Sequence, residues 1–555
     1  MINLSRFFSI FLLFYLVSPG LLSEDLGQIL WGERKLSGPI NFDYISSKFK
    51  QKSSTRISGD FSINDYPDGV GYTILRDTDN FKNRKNDELF KDFPSFNIGI
   101  IIDGENTFVE NKEIIETKHK YWDITFSDGM AWTEDFNTYV AIPFALLQKH
   151  ANCTHNGILI FAINKNINSS KAIMQISSET CAYFQFNYVA IFKSKFQKRD
   201  IFFPNQKEKP QIRDFDEIYT KYPFLKKKSF ADSEVFNKDE VTAFGFYDGV
   251  DHFMGGCSTR SGNYPFCENI TLPAYSLTKS ISGTLGAAAY EKKYESVSNK
   301  MVSDLIRDCA GDKWDDVRFE SLADMVTGNF KSDIHSVDED SLSSLNFIFN
   351  LTESTEKVNF ACNNYPKRTS PNKKFVYHSS DTYLLGLALN NLLTDKVEND
   401  YFNDLLIPIF NKKDFSEKIK YIRRTTDKEK VPYSGWGMYF ERNDLILLNN
   451  LIRSDERKKY FSDSYIMEAL QLTTDKGFKA LQSSDIFYNN GIWSARFEKD
   501  IFGCKDDLYV PFMSGFGGIT VVFLPNSMLY YYISDNYTFS WYPAVYAAHE
   551  IRPLC

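Results

Sequence analysis

The most informative segment of the chain reads Tyr275-Ser276-Leu277-Thr278-Lys279-Ser280-Ile281-Ser282-Gly283-Thr284-Leu285-Gly286. Ser276 and Lys279 are three residues apart, so their side chains share one face if the segment is helical. Leu277, Ile281 and Leu285 recur at helical spacing, which indicates a buried apolar face. The segment therefore predicts a buried helix of small residues that begins near Ser276.

A serine and a lysine in this arrangement suit nucleophilic catalysis. A serine hydroxyl is a poor nucleophile at neutral pH, and a lysine whose pKa is lowered by burial can take its proton. The start of a helix also offers free backbone N–H groups to a developing anion. The spacing alone is weak evidence, because an ordinary surface pair can have it too. It recurs without an apolar helix at Ser47/Lys50, Ser354/Lys357 and Ser370/Lys373.

Two later segments supply the other parts of such a site. Phe375-Val376-Tyr377-His378-Ser379-Ser380-Asp381 leads into a predicted helix over residues 381–393. A tyrosine held there near Ser276 can pass a proton to a leaving group, although Tyr377 by itself is also compatible with one more buried aromatic residue. Met513-Ser514-Gly515-Phe516-Gly517-Gly518-Ile519 enters a predicted C-terminal hairpin. Its glycines bring a substrate close to the backbone, where an N–H group can complete an oxyanion hole.

In this order, the three segments resemble the motifs of the serine β-lactamase and penicillin-binding-protein superfamily. The resemblance is greatest to class C β-lactamases and to the related esterases and nylon-oligomer hydrolases, and it covers residues 240–555. It implies an α+β fold in which an antiparallel sheet is flanked by helices and accompanied by a helical region. The expected protein is a serine hydrolase, and no metal or cofactor motif occurs in the chain.

The resemblance assigns a role to each site residue. It implies that Ser276 is acylated, and that Lys279 takes its proton directly or keeps Tyr377 poised to do so. Tyr377 would then protonate the leaving group. The backbone N–H groups of Ser276 and Phe516 would form the oxyanion hole, and Ser514 stands where the family often has threonine.

Two departures from the family pattern narrow the expected class of substrate. Met513 stands where β-lactamases and many peptidases carry a lysine or histidine that helps to hold a substrate carboxylate. Ser379 stands where class C enzymes have asparagine, a change that also occurs in the esterase branch. Both departures count against β-lactams and favour a small-molecule ester or simple amide. The alternative is a catalytically inactive β-lactamase-like binding protein, but the complete serine, lysine and tyrosine set favours an enzyme.

The rest of the chain divides into a β-rich N-terminal unit and a connection. Residues 24–200 carry short apolar or alternating runs between turn signals, as over 96–102 and 157–163. They predict an antiparallel β-sandwich-like domain. Residues 201–239 are rich in lysine, proline and aspartate and predict a surface linker to the hydrolase domain, residues 240–555.

Several features predict a secreted protein, or one in the lumen of the secretory pathway. Residues 1–23 are typical of a signal peptide, whose apolar run is short for a bilayer span; an uncleaved anchor is the alternative. Outside the cytosol the eight cysteines are expected to pair by proximity in sequence. The expected pairs are Cys153–Cys181, Cys257–Cys267, Cys309–Cys362 and Cys504–Cys555. Glycosylation sequons begin at Asn152, Asn168, Asn269, Asn350 and Asn536.

The remaining charged and apolar features predict no further partner. The formal net charge is −8 with both signs mixed, which gives no basic stripe for a nucleic acid. No later segment is long and apolar enough to predict a stable membrane span. We expect His378 to be structural or exposed, because its side chain should point away from that of Tyr377. We expect the acidic run Asp338-Glu339-Asp340 to be a solvated surface.

Overall fold

The computed structural model describes residues 25–64, 66–69, 71–78, 93–149, 151–177, 181–202, 212–225, 230, 241–396, 398–481, 484–539 and 541–555. The predicted signal peptide lies outside this part of the chain, as does most of the predicted linker. The described residues form two large, mainly antiparallel sheets with helices packed against them. The predicted α+β class is confirmed in that form.

The N-terminal part of the chain forms an eleven-stranded antiparallel sheet. Its strands are β1 (Arg56–Ile63), β2 (Tyr72–Asp77), β3 (Phe96–Asp103), β4 (Asn106–Val109), β5 (Trp122–Phe126), β6 (Gly129–Glu134), β7 (Asn137–Gln148), β8 (Thr154–Ile163), β9 (Ala172–Ser177), β10 (Phe184–Phe192) and β11 (Ser194–Lys198). Hydrogen-bonded neighbours follow the order β11-β1-β3-β4-β6-β7-β8-β9-β10-β2, and β5 also pairs with β7. The runs predicted at 96–102 and 157–163 are therefore strands β3 and β8.

This sheet curls over on itself. The rings of Phe61 on β1 and Phe161 on β8 stack with centroids 3.9 Å apart, although four strands separate β1 from β8 in the sheet. In a flat sheet, strands so placed would lie about 24 Å apart. A single coiled sheet thus encloses the apolar residues that the sequence assigned to a sandwich. The antiparallel β-rich character is confirmed, whereas two separate sandwich sheets are not.

The second sheet combines residues from both ends of the remaining chain. Its strands are β12 (Ile212–Asp214), β13 (Val241–Tyr247), β14 (His252–Gly256), β19 (Phe478–Lys479), β20 (Ile486–Asn489), β21 (Ile492–Phe497), β22 (Leu508–Gly515), β23 (Ile519–Phe523) and β24 (Leu529–Ser534). The order is β12-β14-β13-β24-β23-β22-β21-β20-β19. Two small ribbons pair β15 (Ser258–Thr259) with β16 (Gly262–Asn263), and β17 (Leu272–Pro273) with β18 (Tyr439–Phe440).

Most helices come between β14 and β19 in the chain. The described α-helices are α1 (Leu26–Trp31), α2 (Phe42–Lys48), α3 (Glu217–Lys221), α4 (Leu285–Lys293), α5 (Val302–Leu305), α6 (Phe319–Ala323), α7 (Leu342–Phe349), α8 (Ser354–Asn363), α9 (Ser379–Leu393), α10 (Ile407–Lys412), α11 (Arg442–Arg453), α12 (Asp463–Ala469), α13 (Lys499–Phe502) and α14 (Tyr542–Ile551). The helix predicted over 381–393 is α9. π-Helical turns precede α4 and α10, at Lys279–Thr284 and Phe402–Leu406. Short 3-10 turns lie at Cys267–Asn269, Arg307–Cys309 and Asp455–Lys459.

One large hydrophobic core joins the two sheets. It runs from strands of the first sheet through α4 and α9 to the inner face of the second sheet. Part of the predicted linker is folded: β12 pairs in parallel with β14, and Phe215 and Ile218 are buried under the outer face of the second sheet. The limits of the predicted domains stay a prediction, because both units contribute to the same core.

Disulfides cross-link four separate places in the chain. The structure joins Cys153 to Cys181, Cys257 to Cys267, Cys309 to Cys362, and Cys504 to Cys555. All four expected pairings are confirmed. None of the helices in the described ranges has both the length and the hydropathy needed to cross a bilayer.

Candidate active site

Ser276 lies at a sharp turn between β17 and the helical segment of α4. Tyr275 has a φ of 43°, in the left-handed region that residues with a side chain rarely adopt. The N–H of Leu277 donates to the carbonyl of Ala274 at 2.9 Å, and that of Lys279 to the carbonyl of Ser276 at 3.0 Å. Strained backbone of this kind concentrates at functional sites. The turn presents Ser276 to a large cavity.

Lys279 lies one turn further along, buried beneath Ser276. Its Nζ is 3.1 Å from Ser276 Oγ, 2.8 Å from Ser379 Oγ and 2.9 Å from the Gly435 carbonyl oxygen. Burial lowers the pKa of Lys279 to about 8, even though the carboxylate of Glu339 opposes this change. A substantial fraction of this amine is therefore neutral near pH 8.

The Tyr377 hydroxyl contacts the same serine. It donates to Ser276 Oγ at 2.8 Å, and its ring stacks on Trp493 with centroids 5.8 Å apart. Burial raises the pKa of Tyr377, and the nearby Glu339 carboxylate raises it further. The phenol is thus protonated at neutral pH. The bond to Ser276 distinguishes Tyr377 from an ordinary buried aromatic residue.

Strand β22 brings the third predicted segment to this cavity. Ser514 and Phe516 line it together with Ser276, and Met513 is buried on the opposite face of the strand. Among the described residues, no backbone acceptor takes the N–H of Ser276 or of Phe516. Both groups are therefore free to donate to a bound oxyanion. Their joint use as an oxyanion hole stays a prediction.

Glu339 is a site residue that the motifs do not reveal. Its carboxylate accepts a hydrogen bond from the Ser379 N–H at 2.9 Å and another from the Ser379 hydroxyl. It lies 40 residues before Ser379 in the chain, on a loop with no recognisable spacing. The predicted solvated acidic surface is wrong for Asp338 and Glu339, because each has a buried partner that the local sequence does not show. Only Asp340 is exposed.

Asp338 and His378 form a buried ion pair behind the site. His378 stacks on Tyr365 with ring centroids 4.0 Å apart, and its Nε2 lies 3.1 Å from an Asp338 carboxylate oxygen. Burial alone would lower the pKa of His378, but the hydrogen bond to Asp338 and the nearby Asp381 carboxylate, 3.8 Å from Nδ1, raise it to about 9. Of the two expected states, the structure shows His378 buried and paired and not exposed. The pair anchors the loop that carries Glu339.

Asn152 ties the N-terminal sheet to the turn at Ser276. It lies between β7 and β8, and its buried Oδ1 accepts hydrogen bonds from the N–H groups of Tyr275 (2.8 Å) and Gly437 (3.0 Å). Its Nδ2 donates to the carbonyl of Met438 at 2.9 Å. This asparagine begins one of the predicted sequons, but a buried amide nitrogen already in use is unsuited to carry a glycan. Sequence reasoning therefore missed a positioning role at Asn152.

Replacing Asn152 by alanine tests this role. Asn152→Ala is expected to lower the free energy of unfolding by about 3 kcal/mol, because two buried N–H groups and one carbonyl lose their partner. Asn168→Ala removes an exposed sequon asparagine and is the matched control, with an expected change below about 0.5 kcal/mol. Urea unfolding followed by tryptophan fluorescence measures both variants. Equal stability of the two would contradict the positioning role.

The site opens into a cavity of about 690 Å³. Most of its described lining is aromatic or aliphatic. These residues are Tyr183, Tyr275, Leu345, Ile348, Phe349, Tyr377, Trp436, Leu481, Ile486, Trp493, Phe512, Phe516, Tyr537 and Phe539. Glu339 and Asp340 are its carboxylates, and no lysine or arginine occurs in the described lining. A substrate in this cavity thus meets an apolar, weakly acidic wall.

One group of described residues brings possible metal ligands together, away from Ser276. Cys153, His155 and Cys181 place one ligand atom each within 4.8 Å of the others. The two cysteines are joined in a disulfide, so their sulfur atoms are not thiolate ligands. The group offers a metal only the ring nitrogens of His155.

Solved structures similar to this chain include a hydrolase and a β-lactamase. A putative 6-aminohexanoate-dimer hydrolase from Bacillus anthracis has a TM-score of 0.44 and 14% identity, over 63% of this chain and 89% of that one. A class C β-lactamase mutant has a TM-score of 0.40 and 14% identity, over 56% of this chain and 91% of that one. No protein-family profile matches the chain, and no curated protein matches it by sequence.

Proposed function

We propose that the chain is a secreted serine hydrolase that cleaves a small-molecule ester or amide through an acyl-enzyme on Ser276. The observation that carries the proposal is the convergence of three side chains at an open cavity. Ser276 Oγ lies 2.8 Å from the Tyr377 hydroxyl and 3.1 Å from Lys279 Nζ. A nucleophile with a base and an acid in hydrogen-bonding reach is what acyl transfer requires. Four disulfides agree with an oxidising compartment.

Lys279 is the proposed base, because its neighbours leave one direction open for its lone pair. A neutral amine has two N–H donors and one lone pair. The Gly435 carbonyl can only accept, and Ser379 must also accept, since its own proton is donated to Glu339. These two acceptors use both N–H groups. The lone pair then faces Ser276 and takes its proton as Oγ attacks the substrate carbonyl carbon.

Tyr377 is the proposed acid. Its hydroxyl is protonated at neutral pH and gives its proton to the oxygen or nitrogen that leaves, and the Lys279 ammonium then returns a proton to the phenolate. The N–H groups of Ser276 and Phe516 stabilise the oxyanion. In the second half-reaction, water loses a proton to Lys279 and attacks the acyl carbon. As the ester bond breaks, Ser276 Oγ takes that proton back from the Lys279 ammonium, so the free enzyme is restored.

A fluorophosphonate probe tests the proposal directly, because it forms a covalent bond only with an activated serine. We expect the wild-type protein to be labelled and Ser276→Ala to lose all labelling. Ser370→Ala is the matched control: Ser370 is exposed and has the same spacing to Lys373, so this variant is expected to be labelled like the wild type. An unlabelled wild-type protein would contradict the enzyme and favour the alternative, a non-catalytic binding protein.

A further inference from the structure

One side of the cavity is an arm of aromatic rings, which we name the aromatic arm: Tyr183, Phe349, Phe516 and Tyr537. Ring centroids lie 5.8 Å apart for Tyr183 and Phe349, 6.3 Å for Tyr183 and Phe516, and 5.1 Å for Phe516 and Tyr537. Phe516 is 40% exposed and Tyr537 is 49% exposed. Exposed apolar groups clustered at a cavity mark a binding surface.

The N-terminal sheet holds this arm in place. The turn after Phe516 is so close to that sheet that a Cβ on Gly517 would lie 2.8 Å from the Cβ of Ala182. Arg76 on β2 donates to the carbonyl of Ala182 at 3.1 Å and to the carbonyl of Asp535 at 2.6 Å. The arm is therefore preformed, and a ligand does not have to order it.

The roles proposed for Phe516 and Tyr377 put the aromatic arm on the acyl side of the reaction. Phe516 contributes its ring to the arm and its N–H to the proposed oxyanion hole, so the arm begins next to the reacting carbonyl. Tyr377 delivers the leaving-group proton, and its ring stacks on Trp493, which is not part of the arm. The leaving group is thus expected on the Trp493 side, and the acyl group on the side of Phe516.

The charges around the cavity disfavour an anionic acyl group. Glu339 and Asp340 line it, and the described lining offers no lysine or arginine to oppose them. Partial desolvation lowers the pKa of His335, another lining residue, although the Asp340 carboxylate opposes this change. A carboxylate on the substrate would meet like charges without a lysine or arginine to pair with.

We propose that the aromatic arm binds the acyl group of the substrate and selects an uncharged aromatic or bulky apolar acyl group. This inference rests on the proposed serine hydrolase function. The cavity of about 690 Å³ is large enough for such a group together with a small leaving group.

A panel of p-nitrophenyl esters tests the inference, because the leaving group stays constant while the acyl group varies. The panel consists of the acetate, the 4-methylphenylacetate and the 4-carboxyphenylacetate, each rate being divided by that of hydroxide-catalysed hydrolysis. We expect kcat/KM for the 4-methylphenylacetate to exceed that for the acetate at least about tenfold. The size-matched 4-carboxyphenylacetate is expected to be at least about tenfold worse than its methyl counterpart.

Variants of the aromatic arm test whether the arm causes the preference for an aryl acyl group. Tyr537→Ala is expected to reduce the ratio of 4-methylphenylacetate to acetate turnover, and Tyr66→Ala, which removes another exposed tyrosine outside the cavity, is expected to leave that ratio unchanged. If kcat/KM for the acetate equals that for the 4-methylphenylacetate, the inference is wrong while the hydrolase stands. The same holds if kcat/KM for the 4-carboxyphenylacetate equals that for its methyl counterpart. If no ester is turned over and the fluorophosphonate does not label, both are wrong.

Discussion

Lys279→Met is expected to lower kcat/KM for ester hydrolysis by about 10³-fold, the scale of a general base. Methionine fills most of the space of the lysine side chain but has no amine, so the Ser276 hydroxyl loses the group that takes its proton. Steady-state kinetics with a p-nitrophenyl ester measure the loss. Lys418→Met is the matched control, because Lys418 is also buried but donates to the carbonyls of Lys112 and Phe126. This control is expected to lose stability without a comparable loss of rate.

The pH dependence gives an independent check on Lys279. Burial, opposed by Glu339, lowers the pKa of this amine to about 8, and only the neutral amine is a base. In the wild type, kcat/KM is therefore expected to fall about tenfold per pH unit below that pKa and to level off above it. Lys279→Met is expected to lose this acidic limb. A limb that persists in the variant would assign the titration to another group, and the role of Lys279 as base would be wrong.

The predictable parts of the structure are those that local sequence determines. Helical spacing around Ser276, glycine-rich turns and the alternation within strands are short-range signals, and these elements lie where they were expected. Cysteine proximity also predicted all four disulfides. The shape of the N-terminal sheet was not predictable in this way. Whether β1 and β8 belong to two sheets or to one coiled sheet depends on long-range pairing, which alternation does not encode.

The supporting residues of the site escaped prediction for the same reason. The segments that contain Ser276, Lys279 and Tyr377 are recognisable as motifs. The structure brings these three side chains together. Asn152 is 123 residues from the backbone N–H that it binds, on a strand connection of the other sheet. Glu339 lies in an acidic run whose composition is typical of a solvated surface. Only the tertiary fold shows that these two polar side chains face buried donors.

Glu339→Gln is expected to lower the plateau value of kcat about tenfold to 100-fold, which is within the scale of acid–base catalysis. The carboxylate can only accept, so it forces the Ser379 hydroxyl to donate to it and to accept from Lys279. A glutamine amide can donate to Ser379 instead. The Ser379 hydroxyl is then free to donate to Lys279, which occupies the lone pair that would take the proton of Ser276.

The same substitution is expected to move the acidic limb of the pH profile to lower pH. The negative charge of Glu339 raises the pKa of Lys279, so its removal allows the amine to lose its proton at lower pH. Asp340→Asn is the matched control: it removes a neighbouring charge but no hydrogen bond to Ser379, so we expect a smaller shift of the limb and a plateau within about twofold of the wild type. Measuring kcat from pH 5 to 10 separates the loss of plateau rate from the shift of the acidic limb. A merely structural role for Glu339 would lower the plateau without moving the limb, and a limb that stays in place would contradict the proposed coupling of Glu339 to Lys279.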